Sequence, residues 1–188
     1  EIPLRLVGSE MCIRDRYENM NEKGISHFIE HMLFKGTKKR SYEELNDELE
    51  FLGGEYNAYT DYTSTVYTIS CLEEEFKNAI EILGDMIINP AFNKEELEKE
   101  RGVILAEMRT SKDDIEDLSF KRTNEVAFNK SPLKYDVAGI EANVKNYDRY
   151  DLTSFYKKHY IPNNALVTVV SSYTVSYTHL TLPTIYSV

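Results

Sequence analysis

Residues 24–34 read GISHFIEHMLF, and this stretch organises the rest of the 188-residue chain. Within it, residues 27–31 read His-Phe-Ile-Glu-His. Side chains at positions i and i+4 of a helix project from the same face, so His27 and His31 can direct their imidazoles at one ion, with Glu30 beside them. The opposite face of the predicted helix is apolar at the spacing of a buried stripe. Its residues are Ile25, Phe28, Ile29, Met32 and Leu33.

Two imidazoles at this spacing favour a zinc site, because a catalytic zinc ion takes three protein ligands and leaves its fourth position open. Zinc lowers the pKa of its bound water to about 7. Glu30 can accept the proton of that water and pass it to a leaving amine. The same five residues also arise by chance, and a surface pair of histidines can bind a glutamate instead of a metal.

A third ligand is expected from residues 96–108, ELEKERGVILAEM, which predict a helix starting near Asn93. Glu100 and Glu107 are seven residues apart, almost two turns, so their carboxylates share a face. Glu107 follows the apolar run 103–106, and we expect it to be partly buried and to need a partner. For Glu100, a solvated position stays open as the alternative, and its neighbours Glu95, Glu96 and Glu98 are expected to be solvated.

The remaining chain predicts an α+β domain with a mostly antiparallel sheet. Ser41 and Glu44 form a capping box at the start of a second helix. Residues 54–61 and 65–71 have strand character, and residues 165–170, ALVTVV, read as a buried strand. Further helices are predicted over residues 73–89, 115–128 and 148–160.

Composition excludes several classes of protein. The chain has 32 Asp and Glu against 22 Lys and Arg, a formal net charge of −10. We expect no nucleic-acid partner, because such binding needs a basic stripe. We expect no membrane partner either, because no run approaches the roughly 18 apolar residues of a transmembrane helix. Cys12 and Cys71 match neither a disulfide framework nor a paired zinc motif.

The two ends differ from the body of the chain. Residues 171–188 contain no Asp, Glu, Lys or Arg, although 29% of the whole chain is charged. Residues 176–188 of this tail, SYTHLTLPTIYSV, and residues 8–16, GSEMCIRDR, resemble translated sequencing-adapter read-through. We therefore expect residues 1–16 and 173–188 to be non-native and residues 17–172 to be one partial catalytic domain. A terminal β-hairpin is the alternative for the tail.

Three stretches together carry a family resemblance: residues 24–41, GISHFIEHMLFKGTKKRS; residues 53–67, GGEYNAYTDYTSTVY; and residues 96–108. In this order and spacing they resemble the M16 zinc metallopeptidases, the inverzincin group that includes pitrilysin, insulin-degrading enzyme and mitochondrial processing peptidase. The resemblance implies an α+β roll, the fold of the M16 metallohydrolases, and one zinc ion.

The resemblance also implies a role for each site residue. It makes His27, His31 and Glu107 zinc ligands and Glu30 the general base. Glu100 supports the site from outside the ligand set. Asn57 and Ala58 lie on an edge strand that holds the substrate as an added β-strand. Without the resemblance, Asn57 reads as a turn or strand-edge residue.

The function predicted from these residues is hydrolysis of peptide bonds by a zinc metalloendopeptidase. Its partners are a peptide or unfolded polypeptide and a second M16 domain, in the same chain or in a partner subunit. We expect the 188-residue chain alone to be inactive or nearly so. The alternatives are a catalytically inactive structural or chaperone-like subunit of the same family, and a metal-binding module of unrelated function.

Overall fold

The computed structural model of the chain describes the backbone of residues 4–11 and the whole of residues 18–171. In these residues the chain forms four strands and seven α-helices. The strands are β1 (Leu4–Met11), β2 (Glu55–Thr60), β3 (Thr65–Leu72) and β4 (Ala165–Val170). The helices are α1 (Ile25–Leu33), α2 (Tyr42–Phe51), α3 (Phe76–Ile88), α4 (Lys94–Asp113), α5 (Ile115–Ala127), α6 (Glu141–Asn146) and α7 (Arg149–His159).

The four strands form one sheet in the order β2-β3-β1-β4, and every neighbouring pair is antiparallel. The predicted α+β class with an antiparallel sheet is therefore confirmed. Within the described residues, β2 and β4 are the edges of the sheet. The position of β2 matters for function, because an edge strand carries backbone groups that no neighbouring strand uses.

Helix α1 is the centre of the packing. It lies against β2, β3, α4 and α7. Its five predicted apolar residues are all 1% exposed or less, so the stripe read from the sequence is the buried face. Burying one such side chain contributes about 1.5–3 kcal/mol. The polar face of the same helix points towards α4.

The start of α1 is held by close backbone packing. Gly24 and Gly139 both have positive φ, at 94° and 86°. A Cβ on Gly24 would lie 2.4 Å from the carbonyl oxygen of Ala138, so only glycine fits there. The carboxylate of Glu18 accepts the backbone N–H groups of Gly24 and Ser26 at 3.3 and 3.0 Å. These contacts fix where the helix begins.

Most predicted elements are present, and the start of α3 and the short helix α6 differ from the prediction. The capping box of Ser41 and Glu44 is confirmed in both of its hydrogen bonds. Helix α3 is preceded by a 3₁₀ turn over Glu73–Glu75, so the α-helix starts later than the pattern predicts. The short helix α6 was missed, because its six residues carry too few apolar positions to show a period.

The prediction that residues 165–170 form a buried strand is wrong. Side chains of β4 alternate between half-buried and exposed, and Leu166 and Val170 are 56% and 58% exposed. An edge strand with one covered face produces this alternation, which an uninterrupted apolar run does not reveal.

The predicted read-through segments stay a prediction. Leu4–Met11 lies between β3 and β4 as the strand β1. Residues 1–3, 12–17 and 172–188, which hold the rest of these segments and Cys12, lie outside the described residues. In the part of the chain that was searched, no helix has the length and apolar character needed to cross a membrane.

A buried ion-pair network joins the segment before α2 to α3. Asp85 is 4% exposed and accepts hydrogen bonds from Thr37 at 2.6 Å, Arg40 at 2.7 Å and Asn89 at 2.9 Å. Burial by itself raises the pKa of Asp85, but these three hydrogen bonds outweigh it and leave the pKa below its ordinary value. Arg40 also contacts the exposed Glu81 at 3.3 Å.

We predict that Asp85→Ala lowers the free energy of unfolding by about 3 kcal/mol, because it leaves buried donors without their acceptor. The depressed pKa of Asp85 means that its contribution is present above the unfolded pKa of about 4 and is lost as the pH falls through the folded value. The difference between the two proteins should therefore shrink below about pH 4. Urea denaturation at several pH values measures this difference in the free energy of unfolding.

The matched control is Glu81→Ala, which removes another carboxylate from Arg40 at a site with 65% of its side chain exposed. It should change stability by less than about 0.5 kcal/mol. Equal losses for the two variants would contradict a structural role for the buried carboxylate.

Candidate active site

The predicted metal ligands come from two crossing helices. Helix α1 supplies His27 and His31, and α4 supplies Glu107. The Oε2 atom of Glu107 lies 3.8 Å from Nε2 of His27 and 3.5 Å from Nε2 of His31. One ligand atom from each residue falls within 4.8 Å of the other two. The structure therefore brings together three side chains that are up to 80 positions apart in the sequence.

This donor set suits zinc. Ligands bound at 2.0–2.1 Å in a tetrahedral arrangement lie about 3.4 Å apart, close to the separations observed here. Two imidazole nitrogens and one carboxylate oxygen are ordinary zinc ligands, and three protein ligands leave one position open. His27, Glu30 and Glu107 also line a cavity of about 470 Å³, which gives a ligand access to that position.

Glu107 and Glu100 differ from each other in their burial. The side chain of Glu107 is 49% exposed, so it is about half buried, and its carboxylate pairs with His27 and His31. Val103 in the preceding apolar run is itself 44% exposed. The buried face of α4 instead consists of Leu97, Glu100, Ile104 and Met108. Glu95 and Glu98 are solvated as predicted, but Glu96 is only 15% exposed and pairs with Lys99.

Glu100 is the buried carboxylate and holds His31 in place. Its side chain is 8% exposed, and its Oε2 atom lies 3.0 Å from Nδ1 of His31. Its other oxygen lies 2.9 Å from the ammonium of Lys35. Burial raises the pKa of Glu100, but hydrogen bonds from His31 and Lys35 outweigh burial and lower it overall. A ligand histidine is oriented in this way when a carboxylate occupies its other ring nitrogen.

Charges around His31 favour its protonated form when no metal is present. Burial lowers its pKa, but hydrogen bonds to Glu100 and Glu107 outweigh burial and raise the pKa to about 9. The hydrogen bond with His31 lowers the pKa of Glu107. The site is thus built to hold positive charge, which is what a cation requires.

Glu30 is buried on the same face as the histidines. It is 9% exposed, and burial raises its pKa, partly offset by a hydrogen bond from Thr60 and by the charge of His31. The hydroxyl of Thr60 donates to Oε2 of Glu30 and lies 3.2 Å from the hydroxyl of Thr65. A carboxylate with a raised pKa beside a metal site is suited to accept and return a proton.

Two residues of the site were missed in the sequence. Lys35 lies four positions after His31, just beyond the end of α1, a spacing that could have identified it. Thr60 is the last residue of β2 and approaches Glu30 only because β2 packs against α1. No local pattern indicates that contact.

Asn57 and Ala58 lie on the edge strand β2, as predicted. In an antiparallel sheet, the residue pairs along two strands alternate between hydrogen-bonded and non-hydrogen-bonded. The backbone N–H of Asp61 donates to the carbonyl of Ser64, so this pair is hydrogen-bonded. Counting back along β2 in the register of the sheet places Ala58 in a non-hydrogen-bonded pair. Ala58 then directs its backbone groups away from β3, and the side chain of Asn57 accepts its N–H at 2.9 Å. Ala58 lines the cavity, whereas Asn57 is exposed on the strand.

Comparisons with known proteins relate the chain to one family. A family model described as Insulinase (Peptidase family M16) matches residues 12–141. The "Uncharacterized zinc protease" of Rickettsia bellii is 36% identical over 160 residues, 85% of this chain and 39% of that protein. Mitochondrial-processing peptidase subunit beta of Bos taurus is 39% identical over 154 residues, 82% of this chain and 31% of that subunit.

A solved structure agrees with these matches. The periplasmic protease PqqL from Escherichia coli superimposes with a TM-score of 0.90 and 26% identity, covering 98% of this chain and 21% of PqqL. The chain spans less than two fifths of the length of all three proteins.

We predict that Glu100→Gln lowers the affinity for zinc about 10- to 100-fold, because His31 loses the carboxylate that orients it. Competition with a chromophoric chelator measures the affinity. Glu98→Gln, on an exposed side chain of the same helix, is the matched control and should bind zinc as the unaltered chain does. His27→Ala removes a candidate ligand and should abolish stoichiometric binding. Unchanged affinity in Glu100→Gln would contradict the orienting role.

Proposed function

We propose a function on the basis that the chain belongs to peptidase family M16, the insulinase family. In this proposal, residues 17–172 form part of the catalytic domain of a zinc-dependent metalloendopeptidase. One observation carries the proposal. The candidate ligand atoms of His27, His31 and Glu107 lie within 4.8 Å of one another, next to the buried carboxylate of Glu30. A protease is also what the relatives' names support.

In this proposal His27, His31 and Glu107 hold one zinc ion. Glu100, fixed by Lys35, keeps the ring of His31 turned so that its Nε2 atom faces Glu107. A zinc ion bound there would act as a Lewis acid on the peptide carbonyl and lower the pKa of its bound water to about 7.

Glu30 is the proposed general base. Its carboxylate accepts the proton of the attacking water and then donates it to the nitrogen of the departing amine. Burial raises its pKa, so the proton is held strongly enough to be transferred in the second step. The hydroxyl of Thr60 fixes one of its oxygens and leaves the other for the water.

The substrate is a peptide or an unfolded polypeptide that pairs with the free edge of β2. Main-chain hydrogen bonds grip an extended peptide with little regard to its sequence. The outward backbone groups of Ala58 and the side chain of Asn57 lie on this edge. Since Ala58 also lines the cavity with Glu30, a peptide bound there passes the proposed base.

A second M16 domain, in the same chain or in a partner subunit, is the proposed complement of this one. The side chain of Glu107 is half exposed, so water reaches the proposed metal site from the open side. Closing that side would exclude water and strengthen the electrostatic interactions within the site.

We predict that Glu30→Gln binds zinc as tightly as the unaltered chain but lowers peptide hydrolysis at least about 100-fold, because a general base is lost and every ligand is kept. Zinc content is measured on this chain. Hydrolysis of a quenched fluorescent peptide is measured on a longer protein that joins it to a second M16 domain. Cleavage at the unaltered rate would contradict the assigned base. Zinc binding with no cleavage by the unaltered longer protein would favour an inactive subunit.

The 188-residue chain alone should bind zinc yet show negligible turnover of the same peptide, because its site is open to water. The measurement is the initial rate with and without a separately produced second domain. Robust cleavage by the isolated chain would contradict the need for a partner domain.

A further inference from the structure

One part of the cavity lining carries a compact group of charges. Lys121 of α5 lies 2.9 Å from Oδ2 of Asp117 on the same helix and 2.5 Å from Oδ2 of Asp136 in the loop before α6. Its ammonium also contacts the hydroxyl of Ser111. All four residues line the cavity together with His27 and Glu107. This group is separate from the candidate zinc ligands and from the proposed base.

The three contacts use the full hydrogen-bonding capacity of Lys121. An ammonium has three donors, and here each has an acceptor. The side chain of Lys121 is 23% exposed, and those of Asp117 and Asp136 are 39% and 29% exposed. The two carboxylates of this group are therefore already bound by a cation of the protein itself, at a depth where charges are partly desolvated.

The cavity also offers apolar surface, beside the charged groups of His27, Glu30 and Glu107. Val137 and Ala138 are half-buried, and Met108 is 8% exposed. Phe120 and Tyr59 are more than half exposed although both are large aromatic residues, at 57% and 52%. An uncharged side chain entering here would cover this surface and leave the ion pairs of Lys121 in place.

We infer that Lys121 is a specificity-determining residue, which makes this cavity accept an aliphatic or aromatic substrate side chain and reject a basic one. The inference rests on the proposed function, in which a peptide lies along β2 and directs a side chain into the cavity. A substrate Arg or Lys would have to enter beside Lys121 and compete with it for Asp117 and Asp136. Like charges brought together in this way oppose binding.

Removing Lys121 should reverse the preference. Without its ammonium, Asp117 and Asp136 would lose the cation that they share, and a basic side chain would take the vacated position. The chain has an acidic balance of −10, but at this part of the cavity the local ion pairs decide the selection and the net charge does not.

The test is the affinity of alanine heptapeptides with one variable residue, Leu, Phe, Arg or Glu, measured by fluorescence anisotropy on the 188-residue chain. A single variable residue lets the peptide adopt the register that places it in the cavity. We expect the unaltered chain to bind the Leu and Phe peptides more tightly than the Arg peptide. Lys121→Met should bind the Arg peptide about tenfold more tightly than the unaltered chain does, as for one charge-assisted contact.

Lys112→Met is the matched control. It removes the same charge from a 60% exposed side chain that pairs with Glu141 outside the cavity. It should leave the order of the four peptides unchanged. A merely structural role for Lys121 would weaken all four peptides alike and would overturn the inference, as would an unaltered chain that prefers Arg.

Failure of the proposed function gives a different result. If no heptapeptide binds, the edge-strand grip on the substrate is wrong. N-acetyl-leucine amide and N-acetyl-arginine amide, which need only the cavity, then decide the role of Lys121 through NMR shifts of the Ala138 amide. A gain for the arginine compound in Lys121→Met supports the role, and identical shifts in the two proteins overturn it.

Discussion

Burial of one face of helix α1 is the constraint on which the rest of the structure depends. Its apolar residues are closed off by strands and helices on several sides, so the helix cannot rotate without exposing them. Its polar face is consequently held towards α4 at a fixed angle. His27, Glu30 and His31 occupy their positions because the apolar residues between them are buried.

Burying charged groups beside a hydrophobic core costs free energy, and specific hydrogen-bond and ion-pair partners offset this cost. Glu100 is almost fully buried but is bound by His31 and Lys35, and Glu30 is bound by Thr60. An unpaired carboxylate at either position would be strongly destabilising. The same contacts that make the burial tolerable also set the orientation of the candidate ligand and base, so stability and function share them.

The edge strand β2 links substrate binding to the candidate catalytic centre. One residue of this strand, Ala58, directs its backbone groups away from β3 beside the cavity, and two positions further on Thr60 holds the carboxylate of Glu30. A peptide added to the sheet would therefore approach the base through the strand that positions it. The ion pairs of Lys121, which also lines the cavity, give it a chemical character that overall composition does not convey.

The sequence by itself determined the features that depend on local periodicity. The helical period places His27 and His31 on one face and the apolar stripe on the other, and the capping box marks the start of α2. The class of fold and the family resemblance follow from such short stretches. The tertiary structure decided which carboxylate is buried, since Glu100 and Glu107 share a face of α4 and only packing separates the buried one from the exposed one. It also decided the roles of Thr60 and Lys121, whose partners come from other elements, because contacts across long stretches of chain depend on how helices and strands pack and leave no periodic signal.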